Sequence, residues 1–245
     1  MTACFIYDAD GKPKLGPDGT PEPNAFFVPI EECEILDTWY SAGLRGTGSH
    51  HFQCTDVFVS EDYHFASVGT PPVQPGPLYS TQIPNVWGPN VAAVALGIAR
   101  DAIKSFIRLA SEKKPSRMGS VLARQDVVQN KVGQAEGLLR SGRAFLMETI
   151  GDMWALMSAG QPVPLDLAAS NRLACATAVL NAIAATDLMF GAAGATSIYA
   201  TSRLERCFRD VHMVSQHGVV GPTNIIFAGR SMLGLTPDGA FPPGR

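Results

Sequence analysis

A chain of 245 residues can form one large domain or two small ones. Apolar residues make up 46% of it and charged residues 17%, enough for a sizeable core and too little charge for a disordered chain. The formal net charge of −3 offers no general attraction to nucleic acid or to an anionic membrane, so any phosphate needs a local site and small-molecule chemistry is the expectation.

Met1–Lys14 lacks the basic segment and apolar run of a signal peptide. Residues 1–66 are rich in Pro, Gly, β-branched and aromatic residues. Strands are expected at Ala25–Ile30, Glu34–Trp39 and Phe52–Val59, where Val57 and Val59 alternate with Phe58 and Ser60. Turns are expected at Pro17-Asp18-Gly19, at Pro21-Glu22-Pro23 and in the glycine cluster at 43–48. Residues 67–84 form a Pro-rich linker with Pro71, Pro72, Pro75 and Pro77.

From residue 85 to 245 the pattern is helical. One helix is expected over about 87–113. A second, about 119–158, carries Val121, Val128, Val132, Ala135, Leu139, Leu146, Ile150, Met153 and Met157 on one stripe. A third, about 166–192, is Ala-rich, so neighbouring helices can approach it closely. Ser202-Arg203-Leu204-Glu205 reads as a capping box opening a shorter helix, 203–216, and Pro222 and Gly234 bracket a last one. The expected total is four long helices and one short. The most apolar stretches, Val91–Ala99 and Leu173–Ala185, read as short of a membrane span. The five cysteines, Cys4, Cys33, Cys54, Cys175 and Cys207, include no C-x-x-C pair. They read as reduced, mostly buried thiols of a cytoplasmic protein rather than a disulfide framework or a metal site.

Three segments together resemble the acyl-CoA dehydrogenase superfamily. The first is Asp37-Thr38-Trp39, then Gly43-Leu44-Arg45-Gly46-Thr47-Gly48-Ser49-His50 and Asp56-Val57-Phe58-Val59, similar to the end of that family's middle β-domain. The second is Arg117-Met118-Gly119-Ser120 with Arg124-Gln125 and Val128-Gln129. The third is Phe190-Gly191-Ala192-Ala193-Gly194, followed by Arg209-Asp210 and Gln216-His217. The glycine-rich run in the first segment resembles the hydroxylase, or two-component monooxygenase, branch. The resemblance implies an α+β fold, a partial antiparallel β-domain followed by a four-helix bundle, without the family's amino-terminal helical domain and the first half of its β-domain.

It also implies roles. His217 would face the flavin (FAD or FMN), where an imidazole can hydrogen-bond to, or protonate, oxygen activated there. By itself it reads more readily as a helix-end histidine bonding exposed carbonyls. Arg45, with Ser49, would orient ligand or flavin; the alternative is a tight loop with Arg45 in a structural ion pair. Arg117, Gln125, Gly191 and Gly194 would contact the adenosine diphosphate portion, often across a subunit interface, although Lys113, Lys114 and Arg117 also fit a solvated helix end. His212 reads as structural, and Trp87, Trp154 and Phe190 as core. The family's glutamate base has no counterpart in Asn85–Arg100 or Val214–Val219, which disfavours dehydrogenation; Asp210, or a part of the family's chain absent from this one, is the alternative source of a base.

The leading expectation is a flavin-dependent monooxygenase taking reduced flavin from a separate flavin reductase. The alternatives are an acyl-CoA dehydrogenase-like CH–CH oxidoreductase and a non-catalytic bundle subunit that pairs with a longer relative. Long apolar helix faces imply a homodimer or homotetramer.

Overall fold

The computed structural model describes residues 1–16, 19–21, 23–66, 72–81, 83–115 and 119–235. The expected turn residues Pro17, Asp18 and Glu22, the linker's Pro71, and the cofactor candidate Arg117 lie outside the described residues. The chain divides into two compact units. Among the described residues, one comprises Met1–Tyr40 and Arg45–Pro75; the other comprises Ser41–Leu44 together with the chain from Gly76 to Leu235.

In the first unit, β1 (Thr2–Phe5), β2 (Pro23–Phe26) and β5 (His64–Ala66) form an antiparallel sheet with β2 central, Ala25 standing between Ala3 and Phe65. A separate antiparallel ladder joins β3 (Glu34–Leu36) to β4 (His51–Gln53), pairing Ile35 with Phe52. The strands are shorter than expected. β2 stops at Phe26, and Pro29 leads into a 3₁₀ turn at Ile30–Glu32. β4 ends at Gln53, and Asp56 adopts φ +56°, a left-handed conformation that no strand continues through, so Val57–Ser60 is not a strand. β1 and β5 were not foreseen; runs of three or four residues carry too little periodicity to read.

The second unit is a bundle of α1 (Ile83–Glu112), α2 (Asp126–Ser158), α3 (Leu165–Ala193), α4 (Arg203–Val214) and α5 (Thr223–Met232). Three helices are long and two short, rather than four and one. The α2 stripe is as expected: Val128, Ala135, Leu139, Leu146, Met153 and Met157 are buried. The helix starts later than expected, because Leu122–Arg124 forms a 3₁₀ turn and Gln125 is extended. At α4 the capping box is not made. Ser202 caps without a side-chain bond, and Glu205 is taken instead by Arg209, four residues on.

α3 runs through the middle of the bundle, with α1, α2, α4 and α5 all packed on it. Its small residues allow that. A Cβ on Gly142 of α2 would come within 3.1 Å of the Ala178 Cα, and one on Gly88 of α1 within 3.1 Å of Cys175 Sγ. Pro89, inside α1, cannot donate to Asn85; the freed Asn85 carbonyl accepts a long bond, 3.5 Å, from the buried Asn171 amide. By length and composition Leu165–Ile198 could cross a membrane, contrary to the sequence expectation. Half of its most apolar window is buried within the bundle, which accounts for that apolarity.

Two further expectations need correction. Trp87 and Trp154 are not core residues: they are 53% and 48% exposed among the described residues. Nor are the cysteines mostly buried. Cys175 and Cys207 are, but Cys4 and Cys54 are exposed and Cys33 is half-buried, since the small sheet has almost no interior to hold them.

Candidate functional site

The Arg209-Asp210 pair on α4 holds the segment 41–44. Asp210 Oδ1 accepts the Leu44 N–H at 2.7 Å, and the Arg209 guanidinium donates to the Ala42 carbonyl. Gly43 lies so close to the Arg209 carbonyl that any Cβ would collide with backbone, and Leu44 adopts φ +52°. Arg209 also pairs with Glu205 and holds its carboxyl below the usual carboxylate range. The sequence marked Arg209 and Asp210 only as a family signature. Their role as a clamp was not legible, because the segment they hold lies more than 160 residues away along the chain.

His217 sits in the turn that follows α4. Its carbonyl accepts N–H bonds from Val220 and Gly221, both at 3.0 Å. Val219 and Val220 are buried beneath the turn. From α5, the buried Asn224 amide donates to Gly218 O at 2.8 Å and to Gly221 O at 3.1 Å, a positioning role that a lone Asn in sequence does not announce. The His217 ring is exposed, and its Nδ1 accepts the Val219 N–H at 3.4 Å. That contact, with a backbone donor rather than the expected carbonyl, leaves the proton of the neutral ring on Nε2. His212 faces differently. Its Nε2 donates to Asp187 of α3 at 3.0 Å, and its ring lies 4.6 Å from Phe208, which in turn stacks on Phe190 at 4.4 Å.

The cofactor candidates gather at the other end of α4. Lys113, just past α1, donates to Ala193 O at 2.7 Å and to Thr196 Oγ1 at 2.6 Å, so it compensates the carbonyl-rich end of α3 rather than that of its own helix. Its carbonyl accepts the Leu122 N–H at 3.0 Å, which ties in the turn leading to Gln125. Gly191 and Gly194 lie at that same helix end, with open space where a Cβ would stand; Gly194 is the C-cap, at φ +60°. α4, with 12 residues, is roughly 18 Å long.

Bare glycine backbone, a half-buried glutamine and a lysine that offsets the negative helix end fit an adenosine diphosphate moiety. Without such a cation, a carbonyl-rich helix terminus would repel a pyrophosphate.

Arg45 and Ser49 belong to the first unit. Both are exposed; Ser49 Oγ donates to Thr47 Oγ1 at 3.0 Å. No ion pair of Arg45 occurs among the described residues. His50 is the member of this loop bonded to the backbone of 38–39. Its Nδ1 accepts the N–H groups of Thr38 at 3.1 Å and Trp39 at 3.2 Å. A nitrogen that accepts two N–H bonds carries no proton, so its 3.4 Å approach to Asp37 is not an ion pair in this tautomer. An open cavity of about 750 Å³ in this unit is lined by Phe26, Val28, Phe52, Val57, His51 and Cys54, among others, but not by Arg45 or Ser49.

A family model described as acyl-CoA dehydrogenase, C-terminal domain, matches residues 90–222. The indole-3-acetate monooxygenase of Pseudomonas putida is 34% identical over 221 residues, 88% of this chain and 55% of that protein. The flavin-dependent monooxygenase oxygenase subunit HsaA of Mycobacterium tuberculosis is 28% identical over 232 residues, covering 90% and 58%. Its crystal structure matches with a TM-score of 0.80 at 26% identity, over 91% of this chain and 59% of that one. XiaF from Streptomyces sp., solved in complex with FADH2 and glycerol, has a TM-score of 0.86 at 20% identity over 98% and 61%, a likeness of fold. The chain thus spans somewhat more than half the length of the curated relatives it matches. The matched residues run from α1 through the His217 turn to the start of α5, and on them the chain belongs to the acyl-CoA dehydrogenase family, through its C-terminal helical domain.

Proposed function

We propose that this chain is part of the oxygenase component of a two-component flavin-dependent monooxygenase, which hydroxylates an aromatic or similarly activated small molecule. Reduced flavin, FAD or FMN, delivered by a separate flavin reductase, supplies the electrons that activate O2. The observation that carries this reading is the match to the Pseudomonas putida indole-3-acetate monooxygenase along 88% of this chain. The chemistry around α4 supports it. Dehydrogenation of a CH–CH bond needs a free carboxylate base; Asp210 is committed to the Leu44 N–H, and 214–219 holds an imidazole and no acid.

His217 is the proposed proton-holding group, donating through Nε2 while Nδ1 rests on the Val219 N–H. Arg45 and Ser49 are proposed to orient ligand or flavin. Gln125, Gly191 and Gly194, with Arg117, are proposed to receive the adenosine diphosphate portion, and Lys113 joins them. The exposed apolar residues Trp87, Val94, Met147, Trp154, Leu180 and Ile226 support a homodimer or homotetramer built through the bundle. A cytoplasmic enzyme acting away from membrane and nucleic acid is the setting that suits this chemistry.

The test is anaerobic titration of the protein with reduced FAD and reduced FMN, followed by mixing with O2. Tight binding of the reduced form is expected, with reoxidation slower than that of free flavin and that slowing lost in His217→Ala. Failure to bind either reduced flavin would count against the proposal. Bleaching of oxidised flavin by an acyl-CoA without O2 would favour a dehydrogenase instead.

A further inference from the structure

Cys33 and Cys54 are far apart in sequence but face each other in the fold. The β3–β4 register pairs Glu34 with Gln53, so Cys33 and Cys54 are the next cross-strand pair outward. Directly opposed residues of antiparallel strands have Cα atoms about 4.5–5.5 Å apart, inside the range a disulfide spans. The two Sγ atoms are 3.1 Å apart, and Cys33 Sγ also lies 3.4 Å from the Pro29 carbonyl. Both are free thiols; Cys54 is exposed and Cys33 half-buried, so a small oxidant reaches the pair. The residues they bracket, 34–53, include Arg45, Ser49 and the segment that Arg209 and Asp210 clamp.

We propose that Cys33 and Cys54 form a reversible, peroxide-oxidised disulfide that closes the base of the loop carrying Arg45 and Ser49. The source of peroxide rests on the oxygenase reading: reduced flavin and O2 that do not hydroxylate a substrate release hydrogen peroxide. One cysteine sulfur, as thiolate, attacks a peroxide oxygen. The O–O bond breaks, hydroxide takes up the thiol's proton and leaves as water, and a sulfenic acid remains. The second sulfur then attacks the sulfenic sulfur, the S–O bond breaks, and a second water departs with the second thiol proton. Two thiols are oxidised to one disulfide while one peroxide is reduced to two waters. The hydrogen bond shared with Cys33 raises the Cys54 thiol above its ordinary pKa.

Trypsin separates the three accessible cysteines cleanly. Cys4 falls in Met1–Lys14, because Lys12 precedes a proline; Cys33 falls in Leu15–Arg45, and Cys54 in Gly46–Arg100. After treatment of the whole chain with hydrogen peroxide and blocking of free thiols, non-reducing peptide mass mapping is expected to find Leu15–Arg45 joined to Gly46–Arg100. Dithiothreitol should release the two peptides. The link should persist in Cys4→Ser and vanish in Cys33→Ser, where dimedone should trap a sulfenic acid on Cys54. Sulfinic or sulfonic acid on either cysteine without the joined pair would overturn the proposal, as would a link from Cys4 to Cys54 or one between two chains. Peroxide is added directly and no flavin is present, so this result is independent of whether the oxygenase reading holds.

Discussion

The two units of this protein solve the burial problem unequally. In the helical unit, Phe106, Ile103, Met189 and Val179 are essentially without solvent contact, and alanines on α1 and α3 let the helices close on one another. In the sheet unit, Asn24 and Ala25 alone among the described residues are buried, while Phe5, Tyr7, Phe27, Ile35, Phe52 and Phe58 stand in solvent. A three-stranded sheet and a two-stranded ladder with no shared interior lie at or below what is stable in isolation. The helical unit is therefore the self-sufficient part.

The largest expected effect tests that division directly. Phe106→Ala should destabilise the protein by about 3–5 kcal/mol in denaturant unfolding, because a fully buried ring leaves a cavity between packed helices. Phe58→Ala, at a ring 89% exposed, should change stability by less than about 0.5 kcal/mol. Comparable losses from the two substitutions would break the contrast.

The anchoring of segment 41–44 comes next. Asp210→Ala removes a charged acceptor from the Leu44 N–H and should cost about 1.5–3 kcal/mol. Gly43→Ala, whose new methyl meets the Arg209 backbone, should cost a comparable ~1–3 kcal/mol, since a carbonyl cannot step aside as a side chain can. Hydrogen exchange at residues 41–44 should rise sharply in both variants. Unchanged protection there would show that the Arg209–Asp210 clamp does not hold the segment.

How far the sequence could be read follows the same division. The α2 stripe was legible residue by residue because a buried helix face repeats every three or four positions over many turns. The family resemblance was legible through Gly43, Arg209-Asp210 and the Gly191 to Gly194 run, and it led to the fold. The short strands were not, because Thr2–Phe5 and His64–Ala66 hold too few residues for a period, and Asp56 breaks the expected strand Phe52–Val59 through a backbone angle no composition reveals. Within the candidate site, His217 could be named from sequence. The Asn224 amide that fixes its turn, and the Lys113 that reaches a different helix's end, are tertiary facts carried by ordinary residues.

The buried thiols sharpen the picture on the alkaline side. Burial pushes Cys175 and Cys207 up to about 12 from an ordinary value near 9. A raised pKa means the folded state keeps protons that the unfolded chain gives up. The stabilisation is complete below pH 9 and lost as pH climbs from 9 towards 12. Denaturation midpoints should fall across that window, and the fall should flatten in Cys175→Ala. At pH 8 a thiol reagent should label Cys4 and leave Cys175 and Cys207 untouched until the bundle unfolds. Rapid labelling of either buried thiol in the native protein would mean that the bundle opens far more readily than its packing implies.

The smallest effect lies on the acid side, at the surface link between α1 and α2. Glu136 takes both guanidinium nitrogens of Arg100, at 2.6 and 2.9 Å, and a third bond from Arg140 at 2.7 Å. Those bonds, from Arg100 first, hold its carboxyl down to about 2 from an ordinary 4.5. A depressed carboxyl stabilises the fold above the unfolded value, so this contribution is present above pH 4.5 and drains away as pH falls towards 2. Arg100 is 39% exposed and Arg140 78%, so solvent screens much of the attraction. A double-mutant cycle of Arg100→Met and Glu136→Gln should therefore return a coupling of only about 1 kcal/mol or less at neutral pH, weaker in high salt and smaller still near pH 3. A coupling several times larger would mean that the helical unit leans on this ion pair, and not on packing against α3, to keep α1 and α2 in place.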